Sequence, residues 1–258
     1  MTQSLLLVGH GSSVDGDASA PVYAHAARIR AQRCFDEVRV AFWKEEPRLR
    51  DAWRTARNER VFVVPMFLAE GYYTREVVPR ELGLRGSITR TGMRVIHYCT
   101  PVGAHPRMAE LVFRRARETA QLSRTERRGA ALIVIGHGTE RSATSSATAY
   151  RITRRLRATS EFASVRCGFL DQEPRIDRIV AETDARQLVL VPFLLAEGWH
   201  TRKTIPDVLG LDGKCTVRGG RVLWYAPPVG TLPEVAMLAV ASARAASRDD
   251  FRSVGCPA

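Results

Sequence analysis

Three of the six histidines in this 258-residue chain stand where an imidazole can meet a ligand. His10 and His137 each lie between two glycines directly after an apolar run, so little side-chain bulk crowds the ring. His200 falls in Glu197-Gly198-Trp199-His200-Thr201-Arg202, just beyond another apolar run. Two neutral imidazoles facing one cleft suit a borderline divalent ion and leave coordination positions open for exchange. Asp171 and Glu173 follow a further apolar run and offer a third ligand or a base, while Glu45 and Glu46 hold the matching place earlier in the chain. The plainer reading of these acids is charge at a helix N-terminus, because Glu-Pro-Arg is a good helix opening. Glu70 and Glu197 precede glycines and can orient a histidine from behind or serve structure alone. Arg75, Arg202 and Lys203 can pair with substrate carboxylates, or be solvated surface charge.

The elements that position these residues come in two copies. Leu7-Val8-Gly9-His10-Gly11-Ser12 matches Val134-Ile135-Gly136-His137-Gly138-Thr139, with the histidines 127 residues apart. The same offset joins Val64-Pro65-Met66-Phe67-Leu68-Ala69-Glu70-Gly71 to Val191-Pro192-Phe193-Leu194-Leu195-Ala196-Glu197-Gly198. It also joins Glu46-Pro47 to Glu173-Pro174, Leu82-Gly83-Leu84 to Leu209-Gly210-Leu211, and Pro101-Val102-Gly103 to Pro228-Val229-Gly230. So many anchors in one register establish an internal repeat.

Within each copy, strand-length apolar runs alternate with helix-length amphipathic segments. The runs cover 5–8, 38–42, 61–66 and 95–98, then 131–135, 165–169, 188–193 and 222–225. Helices are expected at 22–32, 106–120 and 147–158. Continuous apolar strands separated by helices imply an α/β fold of two tandem doubly wound parallel-sheet domains. The expected bounds are 1–124 and 129–258, with the polar stretch 121–128 as linker. Ligands in such sheets sit beyond the carboxyl ends of the strands, where Gly-His-Gly, Glu-Pro and Glu-Gly-x-x-Thr-Arg all fall.

Composition narrows the function. No apolar run approaches the roughly 20 residues of a membrane span, and the first residues read as a β-strand, so a cytoplasmic protein is expected. The cysteines Cys34, Cys99, Cys167, Cys215 and Cys256 include no C-x-x-C pair, which argues against disulfides or a cysteine-built metal site. A formal charge of +12 favours an anionic partner. The arginines are spread along helices without aromatic interleaving, so that partner is expected to be a small polyanion and not nucleic acid. A hydrolase or phosphatase built on His10 and His137 would lack an adjacent nucleophile and a phosphate-cradling glycine run.

With these motifs assembled, the chain resembles the class II tetrapyrrole chelatases of the CbiX and SirB type over nearly its whole length. The resemblance implies a lyase that inserts a divalent metal, cobalt or else iron or nickel, into sirohydrochlorin during cobalamin or sirohaem synthesis. The metal is then a substrate, and no organic cofactor is implied. By motif position the resemblance carries the metal to His137 and His200, with Glu173 or, alternatively, Asp171 as the acidic member. It leaves His10, Tyr73, Arg75, Arg202 and Lys203 for the anionic tetrapyrrole. Tyr73 stands where the second histidine would be, so the first-half site is degenerate. A monomer is expected, because the repeat makes an internal pseudo-dimer. A non-catalytic metal or tetrapyrrole carrier is the alternative outside the enzyme class.

Overall fold

The computed structural model describes residues 2–12, 18–52, 58–139, 146–159 and 161–253, with 248–253 as backbone alone. Cys256 lies outside them. Two compact units are present, one formed by Met1–His105 with Pro233–Ala258 and the other by Pro106–Leu232.

In the first unit the strands are β1 (Gln3–Gly9), β2 (Glu37–Phe42), β3 (Arg60–Pro65), β4 (Ile88–Thr91) and β5 (Arg94–Tyr98), in the order β2-β1-β3-β5-β4. In the second they are β6 (Ala130–Gly136), β7 (Ser164–Phe169), β8 (Gln187–Pro192), β9 (Cys215–Arg218) and β10 (Arg221–Tyr225), in the order β7-β6-β8-β10-β9. Every expected strand forms. The central strand of each sheet pairs in parallel on both sides, Leu7 with Val40 and Val64, and Val134 with Cys167 and Val191. Leu5, Leu7 and the whole of Leu132–Ile135 are completely buried, as strands covered on both faces require.

The sheets are not wholly parallel. β4 and β9 pair antiparallel with β5 and β10 at one edge. Both are short and exposed, so they carry no continuous apolar signal.

The helices are α1 (Ala20–Ala31), α2 (Val78–Leu82), α3 (Met108–Ala120), α4 (Arg124–Arg127), α5 (Ala147–Thr159), α6 (Ile176–Glu182), α7 (Ile205–Leu209) and α8 (Val235–Ser253). The compact units divide the chain differently from the expected 121–128 linker, because of where α3 and α8 pack. α3 lies against α5, β8 and β10, whereas α8 lies against α1, β3 and β5. Each helix covers the other copy's sheet, so the first unit is assembled from non-contiguous chain. The stretch expected as a linker belongs to the second unit and contains α4. Ser123 and Glu126 form a reciprocal capping box at its start. Arg127 is buried and meets Glu161 at 2.6 Å.

The Glu-Pro motifs also differ from expectation. Both Glu46-Pro47 and Glu173-Pro174 are cis. α6 begins after them, at Ile176, with Arg175 as its N-cap.

Candidate metal centre

In the second unit three loops at the carboxyl ends of β6, β7 and β8 are tied side by side. The Asp171 N–H donates to the His137 carbonyl at 2.9 Å, and Leu170 N–H also reaches that carbonyl, at 3.1 Å. Phe193 N–H donates to Ile135 at 2.7 Å. The Gly138 position requires glycine: φ is +75°, and a Cβ there would lie 2.6 Å from Gln172 and 2.9 Å from Phe169. That tight passage brings the loop after β7 against the histidine.

His200 opens a single turn of π-helix, His200–Thr204, a feature often found at functional sites. The turn is held from inside. The Thr201 hydroxyl accepts from the Gly198 N–H and donates to the Gly198 carbonyl, at 3.0 and 3.1 Å. The Tyr225 hydroxyl, rising from β10, donates to the Thr201 carbonyl at 2.8 Å. Burial pushes the Tyr225 hydroxyl's pKa well above its ordinary value, so it remains a donor. Tyr98 makes the same bond to Thr74 in the first unit. Neither tyrosine was singled out from the sequence, although their 127-residue spacing matches the repeat.

These loops bring the two imidazoles together, with His137 Nε2 and His200 Nε2 3.2 Å apart. The rings are perpendicular, with centroids 4.7 Å apart. On the far side of its ring, His137 Nδ1 faces the Gly138 carbonyl at 3.0 Å and an Asp171 carboxylate oxygen at 3.3 Å. Both are acceptors, so Nδ1 carries the proton and Nε2 the lone pair. His200 Nδ1 faces the Thr204 hydroxyl at 3.3 Å. A hydroxyl both donates and accepts, so Thr204 suits either His200 tautomer. Without an ion, His200 Nε2–H can donate to His137 Nε2. With Nδ1 protonated and the Thr204 hydroxyl accepting, both Nε2 atoms carry lone pairs.

The spacing fits that second state. Two imidazole nitrogens about 2.1 Å from one tetrahedral ion lie roughly 3.4 Å apart, against 3.2 Å here. Burial, and then the neighbouring His137, lower the His200 pKa, while Asp171 opposes them weakly. His200 is therefore neutral and ligand-competent at neutral pH. Among the described residues no three His, Cys, Asp or Glu side chains converge to hold an ion. Asp171 accounts for this, since it reaches the outer nitrogen of His137 and not the inner one, as a carboxylate that orients a metal-binding histidine does.

The other expected site residues fall into place unevenly. Glu173 is not brought to the pair: it is exposed and accepts the Arg175 N–H at 3.2 Å. Arg202 and Lys203 are exposed on the π-turn, 3.7 Å from Glu197 and 3.1 Å from Asp207 respectively. Arg202 lines a cleft of about 390 Å³ together with Glu197, Lys214 and Tyr225. In the first unit His10 meets Tyr73 edge-on at 4.8 Å, and Arg75 is exposed on the matching π-turn, Tyr73–Val77. The residue matched to Asp171 is Lys44, and the residue matched to Thr204 is Val77. The first half thus lacks counterparts of Asp171 and Thr204 as well as the second histidine, while it keeps the His10 contact to the Gly11 carbonyl and the Tyr98 brace.

An open imidazole pair stands at the strand-end edge of the second α/β unit, and comparisons with known proteins give the family. Residues 4–119 and 131–246 each match the CbiX family model. The chain belongs to the CbiX family. It is 36% identical over 257 residues to the probable sirohydrochlorin cobaltochelatase of Halobacterium salinarum, across 90% of this chain and 87% of that one. Among solved structures it is similar to DR2241 from Deinococcus radiodurans, described as a multi-domain protein with structural similarity to chelatases. The TM-score is 0.80 at 31% identity, over 94% of this chain and 55% of that one. It shares its fold with the sirohydrochlorin chelatase SirB from Bacillus subtilis subspecies spizizenii, solved in complex with cobalt. There the TM-score is 0.73 at 19% identity, over 98% of each chain.

Proposed function

We propose that this chain is a cytoplasmic chelatase that inserts a divalent ion, cobalt in preference to iron, into sirohydrochlorin. The observation that carries the reading is the 3.2 Å approach of His137 Nε2 to His200 Nε2, with the outer nitrogen of each ring already engaged. The similarity to a probable sirohydrochlorin cobaltochelatase along most of both chains supports the substrate and the metal. Imidazole accepts ferrous ion as well, so iron insertion for sirohaem is the second reading.

In this mechanism His137 and His200 hold the ion from one face of the macrocycle through two bonds that exchange readily. Asp171 keeps His137 in the tautomer that presents Nε2. Insertion forms the metal–nitrogen bonds of the macrocycle and releases two pyrrole protons. As the ion leaves, the freed imidazoles take those protons and pass them to solvent. The basic surface attracts the polycarboxylated substrate.

The test is anaerobic incubation of the protein with sirohydrochlorin and cobalt or ferrous ion, following the macrocycle absorbance against a control without protein. Acceleration that disappears in His200→Ala is expected, with cobalt faster. Binding of metal or macrocycle without acceleration would instead mark a carrier.

A further inference from the structure

Thr204 does not spend its hydroxyl where a threonine at a helix start ordinarily does. It is the N-cap residue of α7, yet its side chain makes no capping hydrogen bond. The hydroxyl instead faces His200 Nδ1 at 3.3 Å, back along the π-turn. The first unit shows what the turn itself requires. Val77 holds the matching place before α2, with φ and ψ of −67° and −54° against −56° and −53° at Thr204. A branched side chain without a hydroxyl therefore builds the same π-turn and the same helix start. The hydroxyl is missing where the histidine is missing, since Val77 accompanies Tyr73. A phenol has no second ring nitrogen to satisfy.

The two imidazoles of the second unit are held differently at their outer nitrogens. The Gly138 carbonyl and the Asp171 carboxylate beside His137 Nδ1 only accept, which fixes the proton there. The Thr204 hydroxyl beside His200 Nδ1 accepts or donates. With His200 protonated on Nε2, that proton falls on the His137 Nε2 lone pair 3.2 Å away, and the pair is closed by its own hydrogen bond. With His200 protonated on Nδ1, the bond between the rings is lost and two lone pairs stand side by side. Such lone pairs repel, so the metal-free pair favours the closed form.

We propose that Thr204 is a positioning residue through which the metal site opens and closes: its hydroxyl donates to His200 Nδ1 while the two imidazoles are hydrogen-bonded to each other, and accepts from Nδ1–H when an ion takes both Nε2 atoms. In opening, Nε2 gives its proton to solvent and Nδ1 takes one from solvent, so His200 stays neutral. His137, locked by Asp171, is the constant ligand and His200 the one that switches. The proposal deepens the chelatase reading and rests on it only for the pair as the place that holds the ion.

The test needs no macrocycle. Nitrogen-15 NMR of the imidazoles in the metal-free full chain, at a pH where both rings are neutral, reads the tautomers, and isothermal titration reads cobalt affinity. His137 should carry its proton on Nδ1 and His200 on Nε2. Thr204→Val, which places there the side chain that the first unit accommodates, should keep His200 on Nε2 and lower cobalt affinity roughly 10- to 100-fold, the range for partners behind a ligating histidine. Thr204→Ser should restore affinity to within about threefold of the wild type. Thr204→Asp, an acceptor only, should move the metal-free His200 proton to Nδ1, a shift that a threonine needed for shape alone does not predict. A wild-type His200 protonated on Nδ1 without metal, an unchanged affinity in Thr204→Val, or a Thr204→Asp tautomer still on Nε2 overturns the proposal. Insertion by the wild-type chain, assayed in parallel, keeps the two readings apart. Insertion with an unchanged affinity in Thr204→Val sinks the switch alone, and the expected tautomers and affinities without insertion sink the chelatase reading alone.

Discussion

The Tyr225 hydroxyl reaches across from β10 to the carbonyl of Thr201, one residue beyond His200, so the sheet itself fixes the turn that presents the imidazole. Tyr225→Phe leaves that carbonyl without its donor and should cost about 1 kcal/mol of stability. Metal affinity should fall several-fold because His200 is held less firmly. Thermal denaturation and metal titration check both, and an unchanged affinity would show that the turn needs no such brace.

Asp171 and Glu173 make different predictions. Asp171→Asn should lower metal affinity roughly 10- to 100-fold, the range for carboxylates that orient a ligating histidine. Glu173→Gln should leave it nearly unchanged, because that side chain is engaged with the backbone of Arg175. Isothermal titration with cobalt distinguishes them, and the opposite ranking would return the acidic role to Glu173.

The lowered pKa of His200 sets a pH dependence. Protons compete with the ion for the His200 Nε2, so affinity should be flat at and above the ordinary imidazole value of about 6.5 and fall only at lower pH. The sign for stability is the same. The unfolded chain takes up the His200 proton first as pH drops, so the contribution of this residue declines as pH falls through its folded-state pKa. Metal titrations at stepped pH, repeated with His200→Ala, measure the window; an acid loss of the same size in that variant would remove His200 as its cause.

If the first unit lost its metal site through these replacements, reversing them should restore it. Lys44→Asp combined with Tyr73→His and Val77→Thr recreates the second unit's set around His10. Equilibrium dialysis should then find two ions bound per chain in place of one. A stoichiometry that stays at one would show that the surrounding aromatics also exclude the ion.

Much of this was legible in the sequence. The 127-residue register, the eight parallel strands and the His137–His200 pair all follow from periodicity and motif spacing, because buried strands and glycine-flanked loops leave strong local signals. The edge strands β4 and β9 escaped because they bury little. The nearness of Asp171, and not Glu173, to His137 depends on a backbone bond from Asp171 to His137, which no spacing rule reveals. The exchange of α3 and α8 was hidden for a related reason. Repeated helices at matching positions carry similar amphipathic patterns, and a pattern says which face is buried but not against which sheet.

That exchange bears on how the chain matures. During synthesis the first sheet emerges complete but uncovered on the side that α8 will occupy, and it must wait until the segment from Pro233 onward has left the ribosome. The second unit has α3 in hand before its own strands appear. Closure of the first unit spans well over a hundred residues of intervening chain, and such long-range closure is slow. The two repeats, alike in sequence, should thus reach the native state in reverse order of their translation. A chaperone or protease acting on the nascent protein would find its target in the first.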